Sequence, residues 1–250
     1  MKPFDYSTHS DPIREDLAEA HRDAWTHIAG PGSWLTGAER VAVAEETRRA
    51  RSCVLCVERK AALSPFSVAG EHDHAGVLPP PLVDIVHRVT TDAGRLTASW
   101  YASLLADGLS PETYVEALGV AVVVISVDEF HLALGVDPET LPVSLPGEPS
   151  GYRPIGAELE ESEAWVPILA PNRSGPEEAD LFAGMPPGQA PNVIRALSLV
   201  PDEVRAWVNV SAAQYLSPNE MRSFESPRAI DRAQIELVAG RVSAINECFY

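Results

Sequence analysis

Cysteine is scarce in this sequence: Cys53, Cys56 and Cys248 are the only three in 250 residues. So sparse and odd a count excludes a small secreted fold stapled by disulfides. Positive charge is also short, with 19 basic residues against 36 acidic ones and a formal net charge of −17. A surface of that sign repels phosphates and anionic headgroups, which argues against nucleic acid and membrane surfaces as partners. Long apolar runs are missing too. The longest, Ala117 to Ile125, falls well below the ~20 residues that cross a bilayer. The start, Met1 to Glu15, is polar and lacks the apolar stretch of a signal peptide. The expectation is a cytoplasmic globular chain, long enough for one large domain or two modest ones. In such a reducing compartment a CxxC points to redox or metal chemistry.

What is present is mainly helical pattern. From Ser10 to Gly30 the apolar positions Ile13, Leu17, Ala24 and Ile28 share a face with His21. Ser10 is the expected cap and Pro12 lies in the first turn. A second helix is expected from Gly37 to Arg51 behind Thr36, and a third opens at Cys53-Val-Leu-Cys56 and ends near Leu63. Val68 to Leu78 looks like a loop. Helices follow from Pro79 to Val89, from Leu96 to Ala106 before Gly108, and from Ser110-Pro111 to Leu134 before Gly135. The β-branched centre of the last, Val120 to Ile125, suits a buried strand by propensity. The strong cap and the length favour a buried helix. Between Asp137 and Pro191 stand 11 of the 22 prolines, which predicts a long connector with a short helix near Glu177 to Phe182. Helical pattern returns at Asn192 to Leu199, Asp202 to Leu216 and Ile230 to Ile245.

The two ends of the chain are similar to each other. Aligning Cys53 with Cys248 pairs Ala38 with Ala233, Val43 with Val238, Ala44 with Ala239 and Ala50 with Ile245. In both places a helix delivers a cysteine just past its end. Glu236 is followed by eleven residues and then Cys248, within QIELVAGRVSAINECFY. This spacing resembles the alkyl hydroperoxidase D-like motif of a Glu, eleven residues and C-x-x-C-x-x-x-H. The chain resembles the two-repeat, peroxidase-related type of the alkyl hydroperoxidase and carboxymuconolactone decarboxylase-like family, with its second motif cut short at Tyr250. The stretch LPPPLVDIVHRVTTDAGRLTASWYASLLADGLSPETYVEALGV has the same look.

The resemblance implies an all-α fold with two related helical units, a first repeat over 1–136, a Pro-rich connector over 137–190 and a second repeat over 191–250. It also implies which residues act. Cys56 would be peroxidatic and Cys53 resolving; Glu236 would be a relay acid and Cys248 a resolving cysteine. The first repeat departs from the pattern, with Val41 at the Glu position and Lys60 at the His position. Glu45, one turn from Val41, is a candidate substitute acid.

The physical reading of CxxC stands beside this. At a helix N-terminus a thiol meets free N–H groups and the positive end of the dipole, which favour the nucleophilic thiolate. Peroxide converts a thiolate to a sulfenic acid that a neighbouring thiol closes to a disulfide. The leading expectation is a thiol-dependent peroxidase-like protein taking a small peroxide and a dithiol reductant, with no cofactor or metal, assembled as a homo-oligomer. Two others compete: a non-catalytic helical scaffold, and a carboxymuconolactone decarboxylase-like enzyme. Separately, His72-Asp73-His74 after Glu71 could bind a metal together with His87 or with the Cys53 and Cys56 pair.

Overall fold

In a computed structural model the structure describes residues 3–7, 9–154, 159–160, 165–170, 175–183, 185, 190–223, 225 and 228–245. The fold is all-α, as expected. Among the described residues the helices are α1 (Glu15–Ala29), α2 (Gly37–Ala50), α3 (Val54–Ala61), α4 (Pro80–Asp92), α5 (Ala98–Ala106), α6 (Pro111–Leu134), α7 (Asn192–Arg195), α8 (Pro201–Gln214), α9 (Pro218–Arg222) and α10 (Arg232–Ile245).

Local chemistry explains most helix ends. Thr36 and Glu39 form a reciprocal capping box at the start of α2, satisfying two backbone donors at once. Ser110 accepts from the N–H of Thr113 and Pro111 opens α6, while Gly135 closes it in the left-handed region at φ 69°. That conformation costs a residue without a Cβ little. The start of α1 differs from expectation: its cap is Arg14, in extended conformation, and the helix begins at Glu15. The segment before it instead folds back, with Tyr6 on the His21 ring.

α6 is the axis of the molecule. It packs against α2, α4 and α8, and α1 closes the bundle over α2 and α8. Val115, Val120, Val123, Val124 and Val127 are all fully buried in one hydrophobic cluster. Although α6 has the length and hydropathy of a membrane span, it carries Glu116 and Asp128 in ion pairs with Arg40 and Arg48 of α2. Its β-branched centre is helical because most of its side chains are buried against neighbouring helices, and tertiary burial overrides propensity.

The Pro-rich stretch holds a feature the pattern did not predict, a two-stranded antiparallel ladder of β1 (Leu159–Glu160) and β2 (Ile168–Leu169). Residues 177–182, expected as a short helix, form turns instead. The aligned helices α2 and α10 sit differently in the fold. Val43 is fully buried, whereas Val238 and Leu237 are exposed and Ile235 alone of the described α10 residues is buried.

Candidate metal and thiol centre

The site lies where α2, α3 and α4 meet the loop that joins α3 to α4. α2 ends at Ala50 and the chain turns through Arg51-Ser52, with the Cys53 N–H donating to the Ala50 carbonyl at 3.3 Å. This sharp turn leaves Cys53 as the cap residue of α3 and Cys56 in its first turn. Both thiols are buried and free, with their sulfurs within 4.8 Å of each other. α4 contributes His87, and the loop contributes His72.

Each imidazole points Nδ1 at sulfur. His87 Nδ1 lies 3.3 Å from Cys56 Sγ. His72 Nδ1 lies 3.5 Å from Cys56 Sγ and 3.7 Å from Cys53 Sγ. The two rings stand 4.3 Å apart between centroids.

Each imidazole is also held from behind by a carboxylate. His87 Nε2 lies 2.9 Å from Glu46 Oε2, and His72 Nε2 lies 2.9 Å from Asp84 Oδ1. A carboxylate oxygen accepts, so the Nε2 protons are used there and both Nδ1 atoms present lone pairs to the sulfurs. Arg59 NH1 also lies 2.9 Å from His72 Nε2. A guanidinium only donates, and its partner there is the shared Asp84 Oδ1 at 3.0 Å.

The carboxylates are themselves pinned. Glu46, 1% exposed, accepts the Ala75 N–H at 2.7 Å, and the Asp73 N–H donates to Cys53 Sγ at 3.4 Å. These two bonds fasten the loop to the site. Asp84 is crossed by Arg88 and by Trp100 Nε1 at 2.7 Å. Burial resists its ionisation, but His72, Trp100 and Arg88 outweigh it and hold the carboxyl far below its usual range.

The two thiols differ. Burial, then the neighbouring Cys53, push Cys56 up to about 12. Burial works against ionisation of Cys53 too, but the N–H groups of Asp73 and Cys56 oppose it and bring Cys53 below the ordinary thiol value. His87 is held below its ordinary value by burial, with Glu46 opposing, so it is a neutral base near pH 7. Solvent approaches from one side, through a cavity of about 480 Å³ lined by Cys56, Lys60, Thr90, Thr91, Arg51 and Glu129.

The expected site residues fare unequally. Cys53 and Cys56 come together as the spacing required. Val41 is half-buried, and Lys60 is exposed at the mouth of the cavity. Glu45 pairs with Arg49 along α2 and is not the acid of the site; its neighbour Glu46 is. Glu236 is exposed, bound by the Tyr215 hydroxyl at 2.9 Å and by Arg232 at 2.5 Å. Cys248 lies outside the described residues. Of the histidine pair, His72 faces the sulfurs, while His74 is exposed and accepts from the Gly76 N–H. Sequence reasoning missed Glu46 and Asp84. Glu46 is seven residues before Cys53, and Asp84 is three before His87 on α4; i,i+3 spacing marks a shared helix face.

The chain matches no family model, no curated protein and no solved structure.

Proposed function

We propose that Cys53 and Cys56 form a thiol–disulfide centre that reduces a small hydroperoxide at the expense of a dithiol. The observation that carries this reading is the chain of contacts from Glu46 through His87 to Cys56, at 2.9 and 3.3 Å. It supplies an acid and a base where the resembled motif lacks them at Val41 and Lys60. Nucleophile, base and orienting carboxylate stand in the order that activates a weak nucleophile.

His87 Nδ1 takes the Cys56 proton, and the Cys56 sulfur attacks the outer peroxide oxygen. The O–O bond breaks and the alkoxide leaves with that proton as an alcohol, leaving a sulfenic acid on Cys56. The Cys53 thiolate then attacks Cys56 Sγ, the S–O bond breaks, and hydroxide takes a proton to leave as water. The dithiol restores both thiols by two exchange steps and is itself oxidised to a disulfide. Ionisation favours Cys53, the more readily ionised of the two thiols, whereas access favours Cys56, which lines the cavity. Access decides, because an oxidant must touch the sulfur it oxidises and His87 is already placed to remove the Cys56 proton.

Consumption of an alkyl hydroperoxide with a dithiol reductant tests the reading. Cys56→Ser is expected to abolish turnover, and His87→Ala to slow it by about 10²-fold or more. Unchanged rates in Cys56→Ser would leave the thiols as inert core and favour the scaffold reading. Assembly as a homo-oligomer is part of the same proposal. Its support is the apolar face of α10, where Leu237, Val238, Val242 and Ile245 are exposed; a monomer mass in sedimentation would count against it.

A further inference from the structure

We infer that Cys53, Cys56, His72 and His87 form a Cys2His2 site for a thiophilic divalent cation of the zinc class. This inference does not rest on the peroxide reading; it concerns what the same four atoms do when no oxidant is present.

The four donor atoms all lie within 4.8 Å of one another. Zinc bonds of 2.3 Å to sulfur and 2.0–2.1 Å to nitrogen in a tetrahedron imply edges of about 3.8 Å between sulfurs and about 3.6 Å between sulfur and nitrogen. The two sulfurs lie within 4.8 Å of each other, and three sulfur–nitrogen edges measure 3.7, 3.5 and 3.3 Å. A disulfide would need sulfurs about 2.05 Å apart.

Proton accounting points the same way. Both Nδ1 atoms bring lone pairs, since both Nε2 protons are committed to Glu46 and Asp84. Cys53 sulfur already accepts the Asp73 N–H. His72 Nδ1 and His87 Nδ1 therefore both turn towards Cys56, whose single S–H can satisfy one of them. A cation satisfies all four lone pairs together.

The surroundings fit a metal as well. Both imidazoles carry a carboxylate on the far nitrogen, the arrangement that fixes the tautomer and strengthens a histidine ligand. Ligand softness selects the cation: two sulfurs and two imidazoles suit zinc and not magnesium or calcium, which take oxygen. Four protein donors with little exposure describe a closed site, which is structural in kind. Its ligands join α3, α4 and the loop between them, so the cation would add a clamp to a segment held by the Asp73 and Ala75 N–H groups, by Arg59 on the Val68 carbonyl and by the His72–Asp84 contact. The same sulfurs cannot hold a cation and bond to each other, so metal loading would keep the pair reduced.

The test uses the full chain with its thiols verified as reduced. Zinc is titrated in and counted by elemental analysis, then replaced by cobalt. The expected result is one cation per chain, with the intense visible bands of tetrahedral cobalt and a near-ultraviolet band from thiolate to metal. His72→Ala is expected to lose stoichiometric binding and His74→Ala to keep it. Glu46→Gln, milder for folding, should weaken binding roughly 10- to 100-fold. Failure of the reduced wild type to take up zinc would overturn the inference, as would cobalt bound without the thiolate band or equal losses in His72→Ala and His74→Ala. Peroxide turnover measured after chelation separates the two ideas. Turnover without any zinc binding sinks this one alone, and zinc binding without turnover sinks the other alone.

Discussion

Arg40 shows how a single residue ties this bundle together. Its fully buried guanidinium places NH1 2.6 Å from Glu116 of α6 and 2.7 Å from Glu203 of α8. Glu116 also takes the Trp34 N–H at 2.7 Å. Two carboxylates thus depend on one cation, and His27 Nε2 lies between Glu203 and Arg40, 3.0 Å from Glu203 and 2.6 Å from Arg40 NH2. Burial resists ionisation of Glu203, yet Arg40 and His27 bring it down to about 2. Arg40→Met, which strands both acids, is expected to cost about 3–5 kcal/mol, read from denaturant midpoints at constant slope. Adding Glu203→Met should recover part of that loss. If the single variant loses under about 1 kcal/mol, the carboxylates have taken protons and the network is not ionic. Nothing in the sequence marked Arg40, Glu116 and Glu203 as partners, because they are separated by 76 to 163 positions and each looks like an ordinary surface charge. The same limit hid Glu46 and Asp84. The CxxC was legible because its chemistry is local, and the His72 and His87 ligands were legible as residue types but not as a closed set.

At the scale of elements, legibility followed local chemistry. α2 and α6 were readable to within a residue because Thr36, Ser110-Pro111 and Gly135 are strong punctuation. Ser10 and Pro12 imitate a helix start, so the local pattern puts the start of α1 before its true start at Glu15. There the Tyr6 hydroxyl, 2.8 Å from both His21 and His131, draws the N-terminal segment across the bundle instead. The β1–β2 ladder was unreadable, since two-residue strands carry no period. Gly135 provides a test of the punctuation. Its φ of 69° lies in the left-handed region, and a Cβ there meets no neighbour within 4 Å. Gly135→Ala should therefore cost about 1 kcal/mol from backbone strain alone, and Gly135→Asn less, because asparagine tolerates that region. Thermal unfolding of the two variants checks the order. An alanine variant as stable as the parent would mean that the end of α6 relaxes out of the left-handed conformation.

For the whole molecule, the consequence is a stability that falls in mild acid before its carboxylates titrate. His21 is fully buried between α1, α6 and α8, facing the Tyr6 hydroxyl, His131 and Gln214 Nε2 at 3.1 Å, with Arg22 as the charged neighbour. Burial, then the His131 and Arg22 charges, lower its pKa from 6.5 to about 4. His131 is lowered as well, again chiefly by burial. Between those values the unfolded chain binds a proton that the folded chain refuses, so acid favours unfolding. Above pH 6.5 neither state binds it and the term vanishes. From His21 alone the loss is about 2 kcal/mol by pH 5. Carboxylates held low, such as Glu203, add their losses only below their unfolded values near 4.5. Urea unfolding at pH 7.5, 6 and 5 should therefore show most of its decline below pH 6, and His21→Gln should flatten that decline even if it lowers stability at pH 7.5. An unchanged slope in His21→Gln would move the proton uptake elsewhere, with His131 the next residue to replace.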